Sequence, residues 1–314
     1  MVHEGPAASP SAPAVRRPPR IAAGSLRASL AAVALAAAPL PATAEPALWA
    51  LRDADSTIYL FGTFHIVKPE ADWLTPRVAE AIKESGSIWM EVNLLDEAGS
   101  LTVALATLGT SPDRPLSARL SPEDLARVRA AADKVGLPFA TLEPLRPWLA
   151  AMTISQKIMK DAGFSEAGPD VQLALMASQS RTPVRAFESA REQLEIFSNL
   201  SPEAEIAVLQ STLDTIDAGP AIMESMYLSW LTGDTEAIDR EVLEQFRDMG
   251  PEVYARMLTE RNRRFADRIR QILDGSGTQF VAVGAAHLIG DGSVQSFLAE
   301  HGIETERLDL GLKP

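Results

Sequence analysis

The 314-residue chain contains no cysteine. That excludes a disulfide framework, a thiolate metal site and a lipid-modified cysteine at a cleavage point. Any metal ion must be held by nitrogen and oxygen donors. No apolar run is long enough to span a bilayer comfortably, since a spanning helix needs about 20 apolar residues. No sequence period of repeat length is present, which excludes a solenoid. Basic residues are the minority: 29 Lys and Arg stand against 42 Asp and Glu, for a formal charge of −13. Such a field repels nucleic acid and anionic membrane surfaces.

What is present begins with a leader pattern. Arg16, Arg17, Arg20 and Arg27 precede the Ala/Leu-rich residues 28–40, and Ala42-Thr43-Ala44 forms a small-x-small cleavage pattern before Glu45. These features predict a signal peptide over 1–44, a periplasmic or secreted protein, and one mature domain over 45–314. Losing four arginines and one glutamate with the leader takes the formal charge from −13 to −16.

Residues 49–61 hold two apolar runs about the polar turn Asp53-Ala54-Asp55-Ser56, a hairpin pattern ending at Gly62. An amphipathic stretch over 75–83 has Pro76 at the first helical position and stops at Gly86. The apolar run Ile88-Trp89-Met90 follows, completing a β–α–β unit. Residues 96–180 and 191–274 read as mainly helical, with a strand over 183–187 between them. A strand over 280–283, a helix over 294–301 and an extended segment over 303–308 close the chain. The expected fold is α/β (α+β), a central mixed β-sheet covered by large helical insertions at about 96–180 and 191–274.

Four apolar runs read as buried strands, and each leads to a polar residue at its C-terminal end: His65, Glu91, Glu188 and His287. Ligands bind outside the carboxyl ends of strands in open α/β sheets. If these strands are parallel, two imidazoles and two carboxylates line one sheet edge. One short phrase occurs twice, as Gly62-Thr63-Phe64-His65 and Gly284-Ala285-Ala286-His287. Glycine permits the sharp turn or close backbone approach that a ligand site needs. A fifth residue comes from the helix after Pro251. Tyr254, Met257, Leu258, Phe265, Ile269 and Ile272 form a stripe at 100° per residue, and Arg261 falls in its middle. A buried arginine requires anionic partners, which the sheet-edge carboxylates are expected to supply. Arg268 falls at the stripe's margin, where a long side chain can snorkel.

These stretches resemble the TraB/PrgY/GumN family, which includes the Tiki metalloproteases and is related to erythromycin-esterase-like folds. The resemblance is carried by Tyr59-Leu60-Phe61-Gly62-Thr63-Phe64-His65, Met90-Glu91, Gly168-Pro169-Asp170, Phe187-Glu188 with Gln193, Glu260-Arg261-Asn262 and Val283-Gly284-Ala285-Ala286-His287-Leu288. Together they cover nearly all of the mature chain in family order. The family generally has a branched aliphatic residue where this chain has Pro169.

The resemblance implies a metal-dependent hydrolase, with peptide or amide bonds as its target. His65 and His287 would be metal ligands. Glu91 or Glu188 would complete the site, the other acting as general base. Arg261 would orient a carboxylate or stabilise developing negative charge. The ion would be zinc, manganese or cobalt. Two neutral imidazoles and a carboxylate leave a divalent ion one open position, where a bound water becomes a nucleophile near neutral pH.

Two further readings stand beside it: a metal-independent ester hydrolase in which one histidine activates water with a carboxylate partner, and a non-catalytic binder of peptide, haem or metal. The partner is in each case a peptide or small molecule or ion, with no nucleic acid and no membrane span after leader removal. Asp170 is read as a helix N-cap, Asn262 as a structural hydrogen-bonder, and His301 as the end of the last helix.

Overall fold

The computed structural model describes residues 45–308. The leader expected over 1–44 lies outside the described residues. Six strands form one mixed sheet: β1 (Leu48–Arg52), β2 (Ser56–Thr63), β3 (Ser87–Met90), β4 (Val184–Ala186), β5 (Gly277–Gly284) and β6 (Glu306–Arg307). Their spatial order is β4-β3-β5-β2-β1-β6. The expected hairpin is present, with Leu48 opposite Phe61 and Arg52 opposite Thr57. Asp53 closes its turn by accepting backbone N–H bonds from Asp55 and Ser56 through one carboxylate oxygen. β2, β5, β3 and β4 run parallel, and β1 and β6 add antiparallel pairing on the far side of β2.

Fourteen α-helical segments surround the described sheet. α1 (Pro76–Glu84) links β2 to β3. Between β3 and β4 lie α2 (Leu94–Leu108), α3 (Pro122–Lys134), α4 (Phe139–Leu142), α5 (Pro147–Asp161) and α6 (Pro169–Ser180). After β4 come α7 (Ala190–Ser198), α8 (Pro202–Asp214), α9 (Gly219–Leu231), α10 (Thr235–Ile238), α11 (Glu244–Asp248), α12 (Pro251–Tyr254) and α13 (Glu260–Leu273). α14 (Val294–Ala299) follows β5. Local signals start many of them. Thr75, Ser121 and Ser201 cap α1, α3 and α8, each with proline in the first turn.

The sheet is buried on both faces, as side-chain alternation in β2 shows. Ile58 and Leu60 point to a layer made by α13 and α14, with Phe265, Ile269, Phe297 and Leu298. Phe61 points to the opposite layer, with Trp73, Val78 and residues of the long helical insertions. α13 therefore covers a face of the sheet, although it lies within the 191–274 stretch. Its apolar stripe makes it a face helix.

Two expectations need correction. β4 is not a buried strand: Arg185 and Ala186 are exposed, because β4 is a three-residue edge strand paired only to β3. The helix after Pro251 is not one regular stripe either. A π-helical turn over Ala255–Thr259 separates α12 from α13, so the 100° period does not run through it unbroken. A second π turn, Asp239–Leu243, joins α10 to α11.

Candidate active site

The carboxyl ends of the four parallel strands converge, and each predicted residue stands there. β3 ends at Glu91. The β3–β4 pairing continues one step further, with Phe187 N–H donating to Met90 O and Glu188 N–H to Glu91 O, each 2.9 Å. That places the two glutamates side by side, both buried. Ser189 and Glu192 form the capping box of α7, so Glu188 is not used as a cap.

Arg261, on the first turn of α13, is the buried cation between them. Its Nε donates to both Glu188 oxygens at 3.1 Å. Its Nη2 donates to Glu188 Oε2 at 2.9 Å and to Glu91 Oε2 at 2.5 Å. Its Nη1 reaches His287 Nε2 at 2.9 Å and Met257 O at 3.3 Å. Arg264, largely exposed, adds a bond from Nη2 to Glu188 Oε1 at 2.9 Å. One guanidinium thus holds two carboxylates and an imidazole, a pattern that its fixed five-donor fork permits and an ammonium cannot reproduce. Gln193 Nε2 donates to Glu91 Oε2 at 3.1 Å, and Gly284 N–H donates to Glu91 Oε1 at 2.6 Å.

The protonation of His287 follows from its partners. Arginine only donates, so Nε2 must accept, and Nδ1–H donates to Asn262 Oδ1 at 2.5 Å. Asn262 is oriented by donating Nδ2–H to Gly292 O. The ring is therefore neutral, in keeping with a pKa held down at about 3 by burial and by Arg261. For Glu91, burial alone would raise the pKa, but the charge of Arg261 and the two nearby imidazoles hold it well below the carboxylate range. Arg261 is pushed above its ordinary value: burial opposes this, and Glu91 and Glu188 outweigh it.

His65 is held differently. Its Nδ1–H donates to Asp170 Oδ2 at 3.0 Å, while Thr63 Oγ–H donates to Asp170 Oδ1 at 2.8 Å. The Asp170 charge raises the His65 pKa to about 9, against the opposing effect of burial. Although it lies deep in the fold, the ring is 63% accessible because it faces an internal cavity. Asp170 corrects the N-cap reading. Gly168 is the N-cap, Pro169 opens α6 and Asp170 is the next residue, its carboxylate buried and turned to the strand end. The proline is accommodated at the first helical position, where no backbone donor is required.

Glycine at these positions has a visible cause. A Cβ on Gly62 would stand 3.0 Å from the Ala285 Cα, so the two Gly-x-x-His segments pack directly on one another. A Cβ on Gly284 would meet Glu91 Oε1 at 3.2 Å and His65 Nε2 at 3.6 Å, inside the convergence itself. A Cβ on Gly168 would lie 2.3 Å from the His65 carbonyl oxygen. The 64–67 loop is further pinned by Val67 and Ser165, which exchange backbone hydrogen bonds.

A cavity of about 490 Å³ opens above this floor, lined by His65, Glu91, Gln193, Arg261 and His287 together with an apolar wall. Glu188 does not line it. It faces a separate cavity with Glu192, Arg256 and Arg264.

Sequence reading alone missed the roles of Asp170 and Thr63, whereas Asn262 is the structural hydrogen-bonder expected, with His287 as its partner. Gly168-Pro169-Asp170 was the signal available for Asp170, a glycine before a helix-opening proline and an acid.

Parallel strands ending in paired imidazoles and carboxylates under a helical roof define an α/β protein with its candidate site at the sheet's carboxyl edge. The chain belongs to the TraB/PrgY/gumN family, whose model matches residues 47–307. It is similar to an uncharacterized protein, YbaP, of Escherichia coli (strain K12), at 24% identity over 241 residues, or 76% of this chain and 87% of that protein. The YbaP of Shigella flexneri matches to the same extent. No solved structure matches.

Proposed function

We propose that this chain is a metal-dependent hydrolase in which His65, His287 and Glu91 hold a divalent cation. The donor chemistry fits. Each imidazole is anchored through Nδ1, to Asp170 or Asn262, which leaves Nε2 for a ligand role; in His287 that atom accepts from Arg261 Nη1, a bond that metal binding has to replace. His287 Nε2 and Glu91 Oε1 are 3.4 Å apart, close to the roughly 3.3 Å that two ligands at about 2.0–2.1 Å from one tetrahedral ion must keep. Among the described residues no group of three such side chains is already placed to hold a metal ion. The single observation that carries the reading is the convergence of both anchored imidazoles and Glu91 about Gly284 on the cavity floor.

A bound cation would polarise a substrate carbonyl and make water acidic enough to attack it near neutral pH. The chain's own residues do the rest. Arg261 holds Glu91 ionised in a buried place and, as a lining residue of the cavity, stands where negative charge develops on a carbonyl oxygen. The apolar wall limits water access and strengthens these interactions. Glu188, saturated by Arg261 and Arg264, serves as the anchor of Arg261 rather than as a base toward the substrate.

A metal-independent ester hydrolase is the second reading, favoured by the same Arg261–His287 bond and by His65, held by Asp170, facing the cavity.

Metal analysis of the purified protein, with chelation and re-addition, separates the two. Stoichiometric zinc, manganese or cobalt lost in folded His65→Ala and His287→Ala variants is the expected result. Metal retained by both variants, or hydrolysis indifferent to chelator, removes the metal reading. The expectations of a leader peptide and of a periplasmic or secreted place belong to the same proposal. Among the described residues no helix is long and apolar enough to cross a membrane.

A further inference from the structure

The cavity has two ends of different chemistry. Of its polar lining residues, Thr63, His65, Glu91, Gln193, Arg261 and His287 stand at the strand-end floor, and only Gln245 lies elsewhere. The rest of the wall is aliphatic, aromatic and thioether. It continues into a second cavity of about 620 Å³, and the two share Ile66, Met152, Met223, Met226, Gln245 and Met249. Six of the chain's nine methionines line the pair: Met152, Met159, Met223, Met226, Met249 and Met257. Methionine is unbranched and flexible, so a wall of methionines adapts to a flexible apolar ligand.

An extended peptide fits the apolar part of the first cavity poorly. Each of its residues brings an N–H and a C=O that require partners when buried. Beyond the floor of the first cavity Gln245 is the one polar side chain of its wall, and the helices α5 and α9 bond their backbone groups internally; the second cavity adds polar side chains, among them Gln156, Lys160 and Glu166. A hydrocarbon chain makes no such demand.

We propose that the substrate carries one long hydrocarbon chain, as a fatty-acyl ester or amide. Its carbonyl lies at the strand-end floor and its chain passes Met152 on α5 and Met223 and Met226 on α9. This rests on the hydrolase reading above. Water oxygen bonds to the acyl carbon, and the C–O or C–N bond breaks. The alcohol or amine leaves with that bond's electron pair and takes up one proton. The fatty acid departs with the water oxygen.

Two measurements on the intact chain test it. The first is equilibrium binding, read as displacement of a fluorescent polyene fatty acid by butanol, octanol and dodecanol. Affinity is expected to rise by up to about fourfold per added methylene. The second is kcat/KM for p-nitrophenyl acetate, hexanoate and dodecanoate, expected to rise along the series. Met226→Trp, and from the opposite wall Met152→Trp, are each expected to lower dodecanol affinity and the dodecanoate-to-acetate ratio. Hydrolysis with no chain-length preference and no dodecanol binding overturns the chain proposal and leaves the hydrolase intact. Chain-length-dependent binding without hydrolysis of any ester or of a dodecanoyl amide supports the chain site and overturns the hydrolase reading. Preference for a peptide over the dodecanoyl ester overturns the proposal.

Discussion

Asp170 and His65 illustrate how one contact sets the state of a residue. Asp170 sits 105 positions from His65 in sequence, and both of its oxygens are engaged at the end of β2. Its charge is the largest influence on the His65 ring. In the metal-free protein, Asp170→Asn is therefore expected to bring the His65 titration from about 9 back toward the ordinary imidazole range, as followed by proton NMR of the ring. An unchanged titration contradicts the pairing. The linkage has a definite sign. A raised folded-state pKa contributes stability that is fully present below about pH 6.5 and is lost as pH rises through about 9. His287 acts in the opposite sense: its folded-state pKa of about 3 means that stability is lost as pH falls from about 6.5 toward 3. His65, Glu91, Glu188, His287 and Arg261 were legible in the sequence because strand ends and a helix stripe point to them. Asp170 was not, because its position in α6 carries no strand-end signal and its partner is reached only through the fold.

Strand β2 and the short 3₁₀ turn Ala285–Leu288 after β5 meet through two small residues. Gly62 packs against Ala285 with no room for a methyl group between the two motifs. Gly62→Ala is expected to cost about 1–3 kcal/mol by overpacking, read from urea denaturation, and to weaken metal or substrate binding in the folded fraction. A variant of unchanged stability and binding would show that the two segments can separate freely. β2, β3, β5 and α1 were readable from alternation, apolar runs and caps. β4 was legible as an extended segment but not as an edge, since edge position depends on which strand pairs with which. The π turn Ala255–Thr259 was also hidden. A stripe of apolar residues tolerates one wide turn without a break in its composition, and such turns are frequent at functional sites.

At the scale of the molecule, buried Arg261 and partly buried Arg146 fasten different layers. Arg261 joins α13 to the ends of β3 and β4 and to the turn after β5. Arg146 joins the insertions: it pairs with buried Glu205 and donates to the carbonyls of Leu108 and Ser198. Removing either leaves a buried carboxylate unpaired, at an expected cost of about 3–5 kcal/mol. Arg146→Ala should lower the urea midpoint yet keep metal and substrate binding per folded molecule, whereas Arg261→Ala should lose both. Equal retention of binding in the two variants would place Arg261 outside the site. The sequence by itself determined the apolar runs of the strands buried on both faces, the polar residues at strand ends and the glycines beside them, because these follow from local composition and sterics. Only the tertiary structure decided that β5 lies between β2 and β3, that Glu188 turns away from the cavity behind Arg261, and that helices distant in sequence close a methionine-lined passage over the two Gly-x-x-His segments. Those features depend on pairings between residues tens to hundreds of positions apart, for which a single sequence has no local signal.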